Sequence, residues 1–248
     1  MTPIEIGILA GVIFFTSALT TSTGVGGGSL LLALMLQFMT PGAAIPIHGA
    51  MQTVANGWRI WLLRENMLWP IILRFGIPMP IGIAAGLWLF QEMSKEWVQM
   101  LIGGFILFTL LTQSVKFMGQ RELPLWAFAP AGVVVGALNI VVGVVGPVLT
   151  TLLVGRVSTR HNIVSTTAVF SFLGHFMKVV GFAVVGFSFE EYAWAMAAMV
   201  PSIVLGTYAG RHLLGKISDA FFRQLLRIVL AALALKLVIW DGLMGGTF

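Results

Sequence analysis

The 248-residue sequence contains no cysteine and few charges: 9% of its residues are Asp, Glu, Lys or Arg, against 58% hydrophobic. Without cysteine there are no disulfides, thiolate metal sites or thiol chemistry. Ordinary soluble domains carry about 25% charged residues, so this composition cannot supply a water-facing surface. Acidic groups are the scarcest. The only aspartates are Asp219 and Asp241, and no glutamate falls deep within an apolar run. A cation site or a carboxylate proton relay inside a membrane has no residues to use. Alternation of polarity at period two is also missing, which excludes a transmembrane barrel. The opening Met-Thr-Pro-Ile-Glu-Ile lacks the basic stretch of a signal peptide, so the first apolar run is expected to be a permanent helix.

What remains is a series of long apolar runs. Candidate spans lie at 4–22, 28–40, 44–63, 68–90, 97–115, 125–142, 146–157, 162–187, 192–212 and 222–241. Several approach or exceed the roughly 20 residues that a helix needs to cross a bilayer. The 29 glycines and 10 prolines sit largely inside these runs, which membrane helices tolerate. The expected fold is an all-α polytopic transmembrane helix bundle, with the lipid bilayer as its surroundings. Segments 28–40 and 146–157 are short and each follows a glycine-rich break, so each is expected to be a broken or re-entrant helix.

The net charge of +5 does not point to nucleic acid, because the basic residues are scattered between apolar runs. Arg59, Arg64 and Arg74, then Lys116 and Arg121, then Arg156 and Arg160, and finally Arg211, Lys216, Arg223 and Arg227 fall on one side by parity. The other side receives Glu92, Lys95, Glu96, Glu190, Glu191 and Asp241. Positive loops face the cytoplasm, which places both termini on the non-cytoplasmic side. Lys178 and Lys236 fit neither set of loops.

The two halves resemble each other. At an offset of 124, Gly82/Gly206, Ala85/Ala209, Gly86/Gly210, Ser94/Ser218 and Leu101/Leu225 agree; at 119, so do Gly24/Gly143, Val25/Val144, Gly27/Gly146, Leu30/Leu149 and Thr40/Thr159. Residues 1–120 and 121–248 therefore read as two repeats. About five segments in each half require the second to be inserted upside down, and the exchange of acidic for basic loops agrees. Inverted-topology repeats are a feature of secondary transporters.

Candidate binding groups follow from the breaks and the polar stripes. Gly24, Gly26, Gly27, Gly28 and Ser29 precede one short helix, and Gly143 and Gly146 precede the other. A glycine break followed by a helix N-terminus exposes backbone N–H donors at the positive end of a dipole, which suits an oxyanion. In the third span Gln52, Asn56 and Arg59 recur at i, i+4, i+7 and share a face. In the eighth, Thr167, Ser171, His175 and Lys178 repeat that stripe. Asn139, just ahead of the second break, is a further donor. Intramembrane ionisable residues generally mark a pathway, and Lys178 lies deepest. His48 and His175, each alone on its span, read as hydrogen-bonded structural residues. No His, Asp or Glu pair stands at metal-ligand spacing on one span, so neither metal nor cofactor is expected. No nucleophile–base pair suggests an enzyme.

The break GVGGGSLLLALML, the polar helix ending in WRIWLLREN, the weaker copy GVVGPVLTTLL and the small-residue spans GIAAG and GTYAG together resemble the TauE/SafE sulfite exporter family over nearly the whole chain. That resemblance implies movement of sulfite, thiosulfate or an organosulfonate across a bacterial inner membrane. A secondary transporter of a small anion is the expectation. An anion channel and a non-transporting membrane assembly factor are the alternatives.

Overall fold

A computed structural model of the chain describes residues 3–23, 26–64, 67–114, 122–143, 145–154, 156–157, 160–213 and 219–245. Every regular element among the described residues is helical. Helix α1 (Pro3–Thr23) is followed, across the first glycine-rich break, by the short α2 (Gly27–Met35) and then by α3 (Pro41–Leu63). The run expected as one span at 68–90 is divided into α4 (Trp69–Gly76) and α5 (Met79–Glu92), and α6 (Lys95–Ser114) comes next. The division falls at Ile77–Pro78 because Pro78 and Pro80 remove two backbone donors from a single turn. In the second half α7 (Phe128–Val141) leads across the other break to α8 (Gly146–Val154), followed by α9 (Arg160–Val184), α10 (Ala193–Leu213) and α11 (Asp219–Lys236). Helix α11 continues directly into a π-helical segment, Leu237–Leu243. Both expected short segments are therefore helices of nine residues.

Five helical stretches among the described residues are long and apolar enough to cross a bilayer: Pro3–Thr21, Trp69–Glu92, Lys95–Thr112, Asn162–Val184 and Glu190–Gly210. Helix α3 has the length, 23 residues, but its polar stripe keeps it out of that set. Phe15, Trp88, Leu111, Val184 and Trp194 are all exposed, an outward apolar surface suited to lipid. The chain is a multi-pass membrane protein. Lys236, unplaced by the loop pattern, bonds both carboxylate oxygens of the buried Asp241 at 3.0 Å.

Small residues decide which helices pair. Helix α10 lies against α1 with Gly206 on the Phe14 carbonyl and Gly210 on the Ala18 carbonyl, leaving no room for a Cβ at either glycine. Helix α5 lies against α7 in the same manner, Gly82 on the Val133 carbonyl and Gly86 on the Ala137 carbonyl. Inside a membrane there is no hydrophobic drive between apolar helices, so such close backbone approach is a main source of association. Helices α3 and α9 pack along each other, as do α6 and α11 with its π-helical extension. Phe75 of α4 stacks on Phe170 of α9 at 4.0 Å between ring centroids, both rings fully buried. The α3–α9 seam thus runs through the interior, and α2 packs on α3 and α8 on α9.

Candidate functional site

Among the described residues each break carries one glycine in the left-handed region. Gly26 has φ +96° and caps α2; Gly143 has φ +78° and follows the end of α7. Other L-residues adopt this left-handed conformation only with strain. Gly26 has no side chain with which to cap α2. The first donor inside α2 is the Leu30 N–H, bonded to the Gly26 carbonyl at 3.1 Å, so the N–H groups of Gly27, Gly28 and Ser29 stand ahead of the helical ladder. In α8 the first is the Leu149 N–H on the Val145 carbonyl, also 3.1 Å. Pro147 has no N–H to leave unpaired.

The starts of α2 and α8 open onto one cavity of about 450 Å³, counted with its open mouth. From the breaks come Gly26, Gly28, Ser29, Val145 and Gly146, and from α1 comes Thr20. Helix α3 contributes His48, Gln52, Asn56 and Arg59, and α9 contributes Thr167, Ser171 and His175. The two polar stripes therefore face each other across the seam and meet the breaks at the same place. Sequence reasoning missed Thr20, Val145 and the position of His48. For His48 the signal was present. The stripe at 52, 56 and 59 extends one turn back to 48, as its partner at 171, 175 and 178 extends to 167.

A chain of hydrogen bonds runs along α3. Asn56 Nδ2 donates to the Gln52 carbonyl (2.7 Å) and to Gln52 Oε1 (3.3 Å), and Arg59 Nη1 donates to Asn56 Oδ1 (3.1 Å). That chain fixes the guanidinium of Arg59, a residue only 7% exposed. Arg59 does not snorkel to an interface, and among the described residues it takes part in no ion pair. His48 Nε2 lies 3.1 Å from the Gly28 carbonyl. A carbonyl oxygen only accepts, so Nε2 carries a proton, and whenever the ring is neutral Nδ1 is a bare acceptor. The rings of His48 and His175 meet edge to face with centroids 5.3 Å apart. Each had looked alone on its own span; together they are a pair.

Five buried side-chain atoms among the described residues have no hydrogen-bond partner: His48 Nδ1, Arg59 Nε, Asn139 Oδ1, Thr167 Oγ1 and His175 Nδ1. All but Asn139 belong to residues lining the cavity. Buried polar atoms are rarely left unpaired, since each such atom costs about 1–3 kcal/mol. Their concentration here marks a place where something polar belongs. No carboxylate among the described residues lines it. Among the described residues no group of three or more His, Asp or Glu stands together to hold a metal ion.

The remaining candidates lie elsewhere. Gly24 falls outside the described residues, as do Lys116, Arg121 and Lys216 of the basic loops. Gly27 is buried against Thr16 and Thr20 of α1. Asn139 sits beside Gly174, between α7 and α9. Lys178 is fully buried, its methylenes packed on Gly49, and its Nζ donates to the Gly143 carbonyl at 3.0 Å. Gly143 thus faces Lys178, and neither lines the cavity.

Comparison with known proteins agrees with this architecture. The family model described as sulfite exporter TauE/SafE matches residues 9–237. The probable inner membrane transporter protein TsaS of Comamonas testosteroni is 26% identical over 167 residues, which span 64% of this chain and 67% of that relative. No solved structure matches. A helical bundle matched almost end to end by that model, with a polar cavity buried among its helices, belongs to the sulfite exporter TauE/SafE family and is a membrane transporter.

Proposed function

We propose that the chain carries a small sulfur oxyanion (sulfite, thiosulfate or an organosulfonate) across the bacterial inner membrane by alternating access. The observation that carries this reading is the buried Arg59 side chain, held by Asn56 in a cavity that no carboxylate among the described residues lines. A buried cation without a counter-ion is costly, and an anion in the cavity removes that cost. Arg59 supplies charge and a planar fork suited to two oxygens. The N-terminal N–H groups of α2 and α8 add donors at the positive ends of their dipoles. Gln52, Ser29, Thr167 and Ser171 add neutral polar groups around the rest of the wall. Lys178 acts through its charge and not by contact. Sulfur is favoured by the family's description.

Alternating access follows from reading 1–120 and 121–248 as inverted repeats. Two sets of contacts support that reading. Gly206 and Gly210 sit on Phe14 and Ala18, while Gly82 and Gly86 sit on Val133 and Ala137. The glycine pairs are related by 124 positions and their partners by 119, the offsets at which the sequence repeats. The exchange is reciprocal, the tenth helix holding the first as the fifth holds the seventh. Both termini then lie outside the cytoplasm, with the basic loops within it.

Reconstitution into proteoliposomes tests the reading. Radiolabelled sulfite, thiosulfate and an arenesulfonate are offered in counterflow, and saturable exchange of at least one is expected. Absence of flux for all three rejects the substrate class. Unitary currents without saturation would replace the carrier with a channel.

A further inference from the structure

The cavity holds a feature that anion recognition alone does not require. His48 Nε2 is committed to the Gly28 carbonyl, so Nδ1 presents a lone pair, and a lone pair repels the oxygens of an anion. His175 stands against the same ring with its own Nδ1 unpartnered, and both residues line the cavity. A pocket built only for an oxyanion would fill these positions with donors. We propose that the His48–His175 pair is a proton-binding site inside the anion cavity, so that one proton travels with each anion; this rests on the carrier reading above.

The proton enters from the aqueous mouth and binds His48 Nδ1. The imidazolium then donates through Nδ1 to the anion and through Nε2 to Gly28. Release of the anion returns the proton to water on the other side. The charges around the pair explain why the two ligands bind together. The His48 ring meets His175 edge to face, Lys178 follows three residues on in α9, and α3 itself brings Arg59 to the cavity. Helices α2 and α8 carry no titratable residue, and α6 and α10 contribute none to the cavity wall. An imidazolium added to Arg59 and Lys178 has no carboxylate among the described lining residues to offset it. An entering anion supplies that offset, and by reciprocity the proton strengthens anion binding. With no acidic side chain among the described residues of the cavity wall, a histidine is the group there that can take and release a proton.

The test uses the full chain in proteoliposomes held at zero membrane potential, with [35S]thiosulfate as probe because that anion carries no proton of its own near neutral pH. With the lumen alkaline, the wild type is expected to concentrate thiosulfate about tenfold per pH unit, the equilibrium for one proton per anion. This steady ratio does not depend on how fast the carrier works. His48→Gln keeps a donor for the Gly28 carbonyl but has no titratable nitrogen; its ratio is expected to stay near one at any pH gradient, whatever its exchange rate. A wild type indifferent to the gradient, or a His48→Gln protein that still follows it, overturns the proposal. Should the variant exchange too slowly to reach a steady ratio, proton uptake decides. Adding thiosulfate to weakly buffered wild-type protein in detergent is expected to consume up to one proton per chain, and none for His48→Gln. Equal uptake by both proteins overturns the proposal. Loss of wild-type counterflow for every sulfur anion is a separate result, which removes the carrier reading and the proton site with it.

Discussion

The stripe on α3 and the stripe on α9 have the same spacing and end in a basic residue at the same place, yet the two cations have different surroundings. Arg59 stays in the cavity wall, tied to Asn56. Lys178 turns onto the Gly143 carbonyl, just past the end of α7. The chemistry of the two groups explains the divergence. A guanidinium is planar, weakly hydrated and forked, and suits an oxyanion. An ammonium is a compact point charge, and a carbonyl at the negative end of a helix dipole is a fitting partner. The breaks differ as well. The first turns at Gly26, directly before α2, and the second at Gly143, directly after α7. On the reading proposed above, the α3 cation serves contact with a ligand and the α9 cation serves to hold the break in place.

That comparison can be broken in order of effect. Leucine at Gly82 or Gly206 would drive a side chain into a main-chain carbonyl, and both variants are expected to lose the monodisperse folded protein in size-exclusion chromatography. If one is tolerated and the other not, the two clamps are not equivalent. Arg59→Gln is expected to lower anion affinity roughly 10- to 100-fold in equilibrium binding, the loss of a charge-assisted contact worth about 1.5–3 kcal/mol. Lys178→Met is expected to lower affinity only about threefold to fivefold, because its charge acts at a distance. It should lower Tm, since the buried Gly143 carbonyl loses its donor. A loss as large as that of Arg59→Gln would place Lys178 in contact with the anion and erase the distinction drawn above. Thr167→Val removes one unpartnered hydroxyl, and a roughly twofold to fivefold weakening in the same binding measurement is expected, the loss of one neutral hydrogen bond.

Much of this was legible because membranes simplify the code. Long apolar runs gave the helices, and the glycine breaks marked where α2 and α8 begin. The spacing of Gln52, Asn56 and Arg59 correctly put them on one face, since a helix has a fixed period. The division between α4 and α5 was less visible, because the prolines responsible are themselves embedded in an apolar run. The His48–His175 pair was hidden for another reason. No periodicity within one helix reports which residue of another helix, more than a hundred positions away, will face it. Lys178 and Asn139 were placed on the correct helices, but which way each side chain would turn depended on the neighbours it found. Lys178 met the free carbonyl of Gly143, and Asn139 met the open flank of Gly174.

The two glycine-clamped pairs, α1 with α10 and α5 with α7, supply the cavity with a single residue, Thr20. Scaffold and selectivity are thereby encoded in almost separate sets of positions. If the cavity binds the proposed anion, substitutions that retune which anion is accepted can accumulate along α3, α9 and the two breaks while the frame keeps its shape. A lineage with this division can diversify its cargo without first reinventing its architecture.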